Sequence, residues 1–391
     1  MQTDNQTTEN TTKNYLQATV GVYPLTPLSV SLYHHYNVER IICKKNGLSH
    51  GVLKEKPVLK INSDDEIIEH DINNKFNNGL LECLENKQLP AALLCAPLYN
   101  HIDDFVDELI EITLFLSEKE LLKGYTNLKR FYFPTIILIS GGIVYDEITY
   151  KLTTKLKEND IAELIVNNII SKIVRASSTL DAYKDHDIYY PDTKGPIKIA
   201  LPKFPLFSQV VDILNNKEFK FSIITNPHRI EFDKAMVNIA TNSAAIDLSL
   251  DKLNHKLRTI NIKEAISPNR QANKEFIDNL QKAVFNIGQK AGAFSETETF
   301  EKVWLPRKEQ LLKEKSFHIS ASLYNFKNMI KNNNLPEGHL PSEHALIYPL
   351  KCYAQHFELA EEFLVLDELE NNLLEDVKFA KDNSNRIVFT F

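Results

Sequence analysis

The apolar positions divide the chain into two halves with different periodicities. In the first half, short continuous apolar runs alternate with helical patterns. "YLQATVGVY" reads as a strand. "PLTPLSVSLYHHYN" reads as a helix, with Thr26 able to cap it and Pro27 suited to its first position. "VERIICKKNG" is a second strand ending in a turn, and "KPVLKI" a candidate third. "NNGLLECLEN" is a short helix. "AALLCA" and "FPTIILISGG" are buried strands, each followed by a helix, "HIDDFVDELIEITLFL" and "VYDEITYKLTTKL". "SKIVRAS" and "GPIKIALP" complete the half. Wholly apolar strands alternating with helices predict a parallel sheet covered on both faces, a doubly wound α/β domain over residues 15–203. Such sheets bind ligands outside the carboxyl ends of their strands. Residues 204–391 change to helical periodicity, including a helix over 231–250. One strand, "FKFSIIT", is expected in the first domain's sheet or at the junction. The polar stretch "MQTDNQTTENTTKN", residues 1–14, is expected to be a disordered tail.

Within the 231–250 helix, "DKAMVNIATNSAAI" places Lys234, Asn238 and Asn242 at spacing four in a mostly apolar run. At 100° per residue, Asn238 lies about 40° and Asn242 about 80° from Lys234. A mostly apolar helix is mostly buried, and a narrow polar line on it needs partners, because unpaired buried polar groups cost a few kcal/mol each. Asn is also a poor helix former. Either the line meets solvent or neighbouring backbone, or it lines a ligand cleft in which Lys234 supplies charge or a proton.

Lys-x3-Asn-x3-Asn on the first long helix after an α/β domain resembles the ketopantoate reductases, of the 6-phosphogluconate-dehydrogenase-like superfamily. The family's "KLxxNxxxN" stands here as "KAMVNIATN". Its downstream Ser-rich stretch and Thr-Glu are matched in order by "FHISASLYNF" and "PSEHALIYPL", with His318, Ser320, Ser322 and Glu343 in comparable places. The resemblance implies a Rossmann-like N-terminal domain followed by an all-helical substrate and dimerisation domain. Three departures stand out. Of the GxGxxG fingerprint, "VGVYPLTPL" keeps only Gly21, with Tyr23 and Thr26 in place of glycines. The Lys after the fourth strand is replaced by Ala96-Pro97. The Asn-Gly after the next strand is Gly141-Gly142, preceded by Ser140.

The resemblance implies reduction of 2-dehydropantoate (ketopantoate) to pantoate by NADPH, in pantothenate and coenzyme A biosynthesis. Lys234 would donate the proton, and Glu343 would accept a hydrogen bond from the substrate hydroxyl. Asn238 and Asn242 would bind substrate or the nicotinamide ribose, and Ser320 or Ser322 the substrate carboxylate. For the cofactor, Gly21, Thr26, Ser140 and Gly141 would lie near the dinucleotide. Lys44 and Lys45, at the end of the second strand, would accommodate the 2′-phosphate of NADP. Two other readings stay open: a reductase of another 2-keto or hydroxy acid, or a non-catalytic protein that kept the fold and lost dinucleotide binding.

Composition narrows the partners. A formal net charge of -7 lacks the bulk basic character of a nucleic-acid coat. No apolar run is long enough to span a bilayer and no signal peptide is recognisable, so a cytoplasmic location is expected. No metal is expected: the four cysteines form no CxxC pair, and "GHLPSEH" lacks the HExxH spacing of a helical zinc pair. The resemblance implies a small keto acid as the partner, with a homodimer left open.

Overall fold

The computed structural model describes residues 16–45, 53, 56–63, 66–119, 121–122, 132–139, 142–178, 182–191, 197–200 and 207–390, with backbone only for 207–209. The expected tail and the candidate residues Ser140 and Gly141 lie outside the described residues. Strands are numbered here in chain order. They are β1 (Leu16–Tyr23), β2 (Arg40–Cys43), β3 (Val58–Ser63), β4 (Glu66–Asp71), β5 (Phe76–Asn78) and β6 (Leu89–Cys95). Next come β7 (Thr135–Ile139), β8 (Ile173–Ser178), β9 (Ala182–Asp185), β10 (Ile188–Pro191), β11 (Ile197–Ala200) and β12 (Phe221–Ile224).

Eight strands form one sheet in the order β12-β11-β8-β7-β6-β1-β2-β5, parallel throughout except between β8 and β11. The central strands β6 and β7 are buried on both faces, as their unbroken apolar runs require. β12 is the edge strand, so the sheet reaches Ile224. Asn226 then caps the helix Pro227–Asn238; the expected 203/204 boundary lies outside the described residues. A second sheet, β4-β3-β10-β9, packs with helix Pro27–His35, which also contacts β1. Leu59, Ile61 and Tyr189 of this sheet join Val20, Val30 and Ile41 in one core. The half expected to be all helical carries a small third sheet, β13 (Leu250–Asp251), β14 (Lys256–Arg258) and β15 (Val388–Thr390).

The helix expected over 231–250 is interrupted. It runs α-helically over Pro227–Asn238, turns π-helical over Ile239–Ala244, and resumes as Ala245–Ser249. Within the wider turn, Thr241 Oγ1 donates to the Val237 carbonyl at 3.0 Å. The fixed 40° step between the Asn residues does not hold across this wider turn.

Two features join the halves. In helix Pro341–His356, Pro349 has no N–H to offer the Ala345 carbonyl one turn back. Ile143, just after β7, donates to that carbonyl instead, at 3.1 Å. Gly142 gives the room: a Cβ there would sit 2.4 Å from the Ala345 oxygen. Nearby, buried Arg175 of β8 donates from Nε to Glu231 at 2.7 Å and from Nη2 to Asp146 at 2.6 Å. Asp146 also accepts from the Tyr353 hydroxyl, and the guanidinium lies 3.8 Å from the Tyr145 ring centroid. Sheet and three helices thus share one ionic network.

Candidate functional site

The Lys234 line sits at the carboxyl edge of the sheet. Helix Pro227–Asn238 packs on β8 and β11, and Lys234 Nζ donates to the carbonyl of Ser178, the last residue of β8, at 3.1 Å. Between Lys234 and Ile246 every residue is buried except Lys234, Asn238 and Asn242. The predicted line is therefore the accessible line of an otherwise buried helix, despite the π-helical turn inside it. Asn242 Oδ1 accepts from Thr241 Oγ1 at 3.1 Å. The π-helical segment packs against helices Ala321–Lys331 and Pro341–His356, which bring in the Ser-rich stretch and Glu343.

Those residues separate into two roles. Ser320 caps helix Ala321–Lys331, its Oγ accepting from the Leu323 N–H at 3.3 Å, so this hydroxyl serves helix geometry first. Ser322 and Glu343 come together. Glu343 is only 4% exposed, and burial raises its carboxyl pKa, partly offset by hydrogen bonds from the Ser342 and Ser322 hydroxyls. Ser342 Oγ lies 2.6 Å from Glu343 Oε2, while Oε1 has no well-formed partner.

The dinucleotide corner differs from a glycine-lined turn. Gly21 lies inside β1, where a Cβ would come within 2.7 Å of Pro90 Cγ; it serves strand packing. Tyr23 is buried and stacked on Phe105, with centroids 5.7 Å apart, and burial raises its pKa well above the usual phenol range. Thr26 caps helix Pro27–His35, accepting from the Ser29 N–H at 3.2 Å, and its hydroxyl lies 3.0 Å from that of Ser29. Pro27 has no N–H, Ser29 N–H is capped and Val30 N–H bonds the Thr26 carbonyl, leaving Leu28 as the first-turn donor for an anion.

Lys44 and Lys45 are not left open for a 2′-phosphate. Lys44 pairs with Asp104 and lies 3.3 Å from His101 Nδ1; Lys45 pairs with Glu111 at 3.1 Å. Both carboxylates belong to helix Ile102–Glu118. Buried Glu108 on that helix accepts from the Lys45 N–H at 3.0 Å and the Leu80 N–H at 2.9 Å, and burial raises its pKa. Its sequence signal was an acid three residues after Phe105, on the apolar side of the helix. The Lys234 side of the sheet edge thus offers amides and a cation, while the turn after β1 is filled by the chain's own side chains.

Sequence reasoning also passed over "GHLPSEH". His339 and His344 lie on either side of a helix start and converge with Glu370, their Nδ1 atoms 3.6 and 3.3 Å from Glu370 Oε1. Their spacing matches no helical ligand pair, so only the tertiary fold reveals them.

No family model and no curated protein sequence matches the chain. Solved structures do match in fold. A ketopantoate reductase from Staphylococcus aureus, described as dimeric, superposes with a TM-score of 0.53 at 10% identity, over 91% of this chain and 99% of its own. A 2-dehydropantoate 2-reductase from Geobacter metallireducens gives 0.59 at 10% identity, over 91% and 99%. The chain has the ketopantoate reductase fold. A D-mandelate dehydrogenase in complex with NADH shares it as well, at a TM-score of 0.61 and 11% identity, over 92% of this chain and 98% of that one. The ketopantoate reductase fold thus extends over both halves, and the carboxyl edge that carries Lys234 is the edge at which doubly wound sheets bind ligands. Among the described residues, no helix is long and apolar enough to cross a membrane.

Proposed function

We propose that the protein is a keto-acid reductase of the ketopantoate reductase type, converting 2-dehydropantoate to pantoate with NADPH. The observation that carries this reading is the accessible Lys234–Asn238–Asn242 line on a buried helix at the carboxyl end of β8. A nicotinamide dinucleotide, when bound, supplies the hydride. Lys234 holds positive charge at the ketone oxygen and delivers its proton there. The Ser178 carbonyl holds the ammonium in place until substrate arrives. Asn238 and Asn242 orient substrate or ribose through uncharged hydrogen bonds, and Ser322 and Glu343 take the substrate's carboxylate and hydroxyl. Ser320 supports them as the helix cap. Lys44 and Lys45 favour NADPH over NADH only after a 2′-phosphate displaces Asp104 and Glu111 from them. The second copy that would complete a dimer packs through the helical half.

A second reading has its own support. The filled turn of Tyr23, Thr26 and Ser29 favours a protein that kept the substrate wall and lost the dinucleotide. Titration of NADPH fluorescence with the full chain separates the two. The reductase reading predicts saturable enhancement in the micromolar range and oxidation on addition of ketopantoate. No binding at millimolar NADPH and NADH would establish the second reading. Binding of both cofactors with oxidation only by other 2-keto acids would move the substrate.

A further inference from the structure

A cavity of about 10 Å³, room for one water or one ion, opens between helices Pro341–His356 and Ala360–Asp382. His339, His344, Glu343 and Glu370 supply its polar lining. Ligand atoms of His339, His344 and Glu370 lie within 4.8 Å of one another. We propose that this cavity is a site for a divalent transition metal, zinc being the type ion, bound by His339, His344 and Glu370 with Glu343 beside it.

Three observations carry this beyond a chance cluster. The first is distance. A tetrahedral zinc ion with ligands at about 2.0–2.1 Å separates them by about 3.4 Å. The His339–Glu370 and His344–Glu370 separations, 3.6 and 3.3 Å, already have that length. The two imidazoles are stacked at 4.0 Å and 16°, so they fan apart by a small rotation as the ion enters.

The second is unmet bonding. His344 Nδ1 is buried and 3.3 Å from Glu370 Oε1, yet out of line for a hydrogen bond. Glu343 Oε1, on a residue 4% exposed, has no well-formed partner either and lines the same cavity. A bound ion satisfies His344 directly and sets positive charge beside the buried Glu343 carboxyl.

The third is charge. Lys351 holds Glu370 Oε2 at 2.6 Å and Asp367 at 2.5 Å, which leaves Glu370 Oε1 turned to the histidines. Lys351 is shared between two carboxylates, Asp367 and Glu370, so the pocket retains capacity for positive charge. His339, 40% exposed, provides the way in. The site needs no dinucleotide; it shares Glu343 with the proposed substrate pocket, and zinc binding is read separately from turnover.

The test uses the full chain and zinc ion alone. Competition with a chromogenic chelator is expected to show one zinc per chain at micromolar affinity or better. His339→Ala and His344→Ala should each weaken it at least tenfold. Glu343→Gln should weaken it about 10–100-fold. Zinc should raise the melting temperature of the native chain and not of His344→Ala, while His35→Ala, on helix Pro27–His35, should behave as native. Cobalt(II) should give a visible d–d band that His344→Ala lacks. His339 is exposed, so its variant keeps the test valid should His344→Ala fail to fold. No stoichiometric zinc, or native-like binding by His339→Ala, would overturn the proposal.

Discussion

Lys172 shows what a single buried charge does to this fold. It sits just before β8, 5% exposed, with its ammonium donating to the Phe133 carbonyl. Burial pushes its pKa down to about 7. An unfolded lysine titrates near 10.4. Between these values the unfolded chain binds more protons than the folded one, so stability rises with pH across that window. The gain expected from this group is about 1–2 kcal/mol on raising pH from 7 to about 8.5, at about 1.4 kcal/mol per pKa unit; above that the buried Cys43, Cys83 and Cys95, whose pKa values burial raises, act in the opposite sense. Lys172→Met should flatten the slope and raise the melting temperature at pH 7; an unchanged slope would remove Lys172 as its source. Nothing around Lys172 in sequence, "ISKIV", distinguishes it from a surface lysine. Lys234 was legible for the opposite reason: its company of Asn238 and Asn242 broke an apolar pattern, and the break has a physical price in a buried helix.

Elements were legible where one periodicity ruled and obscure where tertiary contacts decided. The apolar runs of β6 and β7 were found because burial on both faces writes itself into nearly every residue. β9 and β10 were missed because they are short and carry mixed polar residues that pay off only beside β3. The π-helical turn was missed because no spacing of polar and apolar residues marks it. The junction of β7 with helix Pro341–His356 depends on a similar pair of particulars. Pro349 frees the Ala345 carbonyl, and Gly142 lets Ile143 reach it. Gly142→Ala would press a methyl within 2.4 Å of that oxygen, against backbone that cannot turn aside. Destabilisation of about 1–3 kcal/mol is expected from such overpacking, read as a lower denaturant midpoint. A neutral result would show that the two elements are free to separate there.

At the scale of the whole molecule, the two halves are held across one edge of the sheet. Arg175 ties β8 to helices Tyr145–Glu158 and Pro227–Asn238, and Asp146 carries the tie on to Tyr353. Lys234 and Ser178 lie at the end of the same strand and helix, so the ionic network positions the candidate site as well as the interface. The order of elements and the Lys234 line were legible in the sequence because both depend on repeated spacing. The dinucleotide corner did not, since Lys44, Lys45 and Glu108 acquire their partners from helix Ile102–Glu118, far along the chain. The central claim is that Lys234 acts on a keto acid at this edge. Steady-state oxidation of NADPH by ketopantoate, compared between the native chain and Lys234→Ala, tests it most directly. The account predicts turnover by the native chain and a loss of 10²-fold or more in kcat for the variant, in line with about 10²–10⁴ for a positioned acid, with the circular dichroism unchanged. Native-like turnover by Lys234→Ala, or none by the native chain with any 2-keto acid, would contradict it.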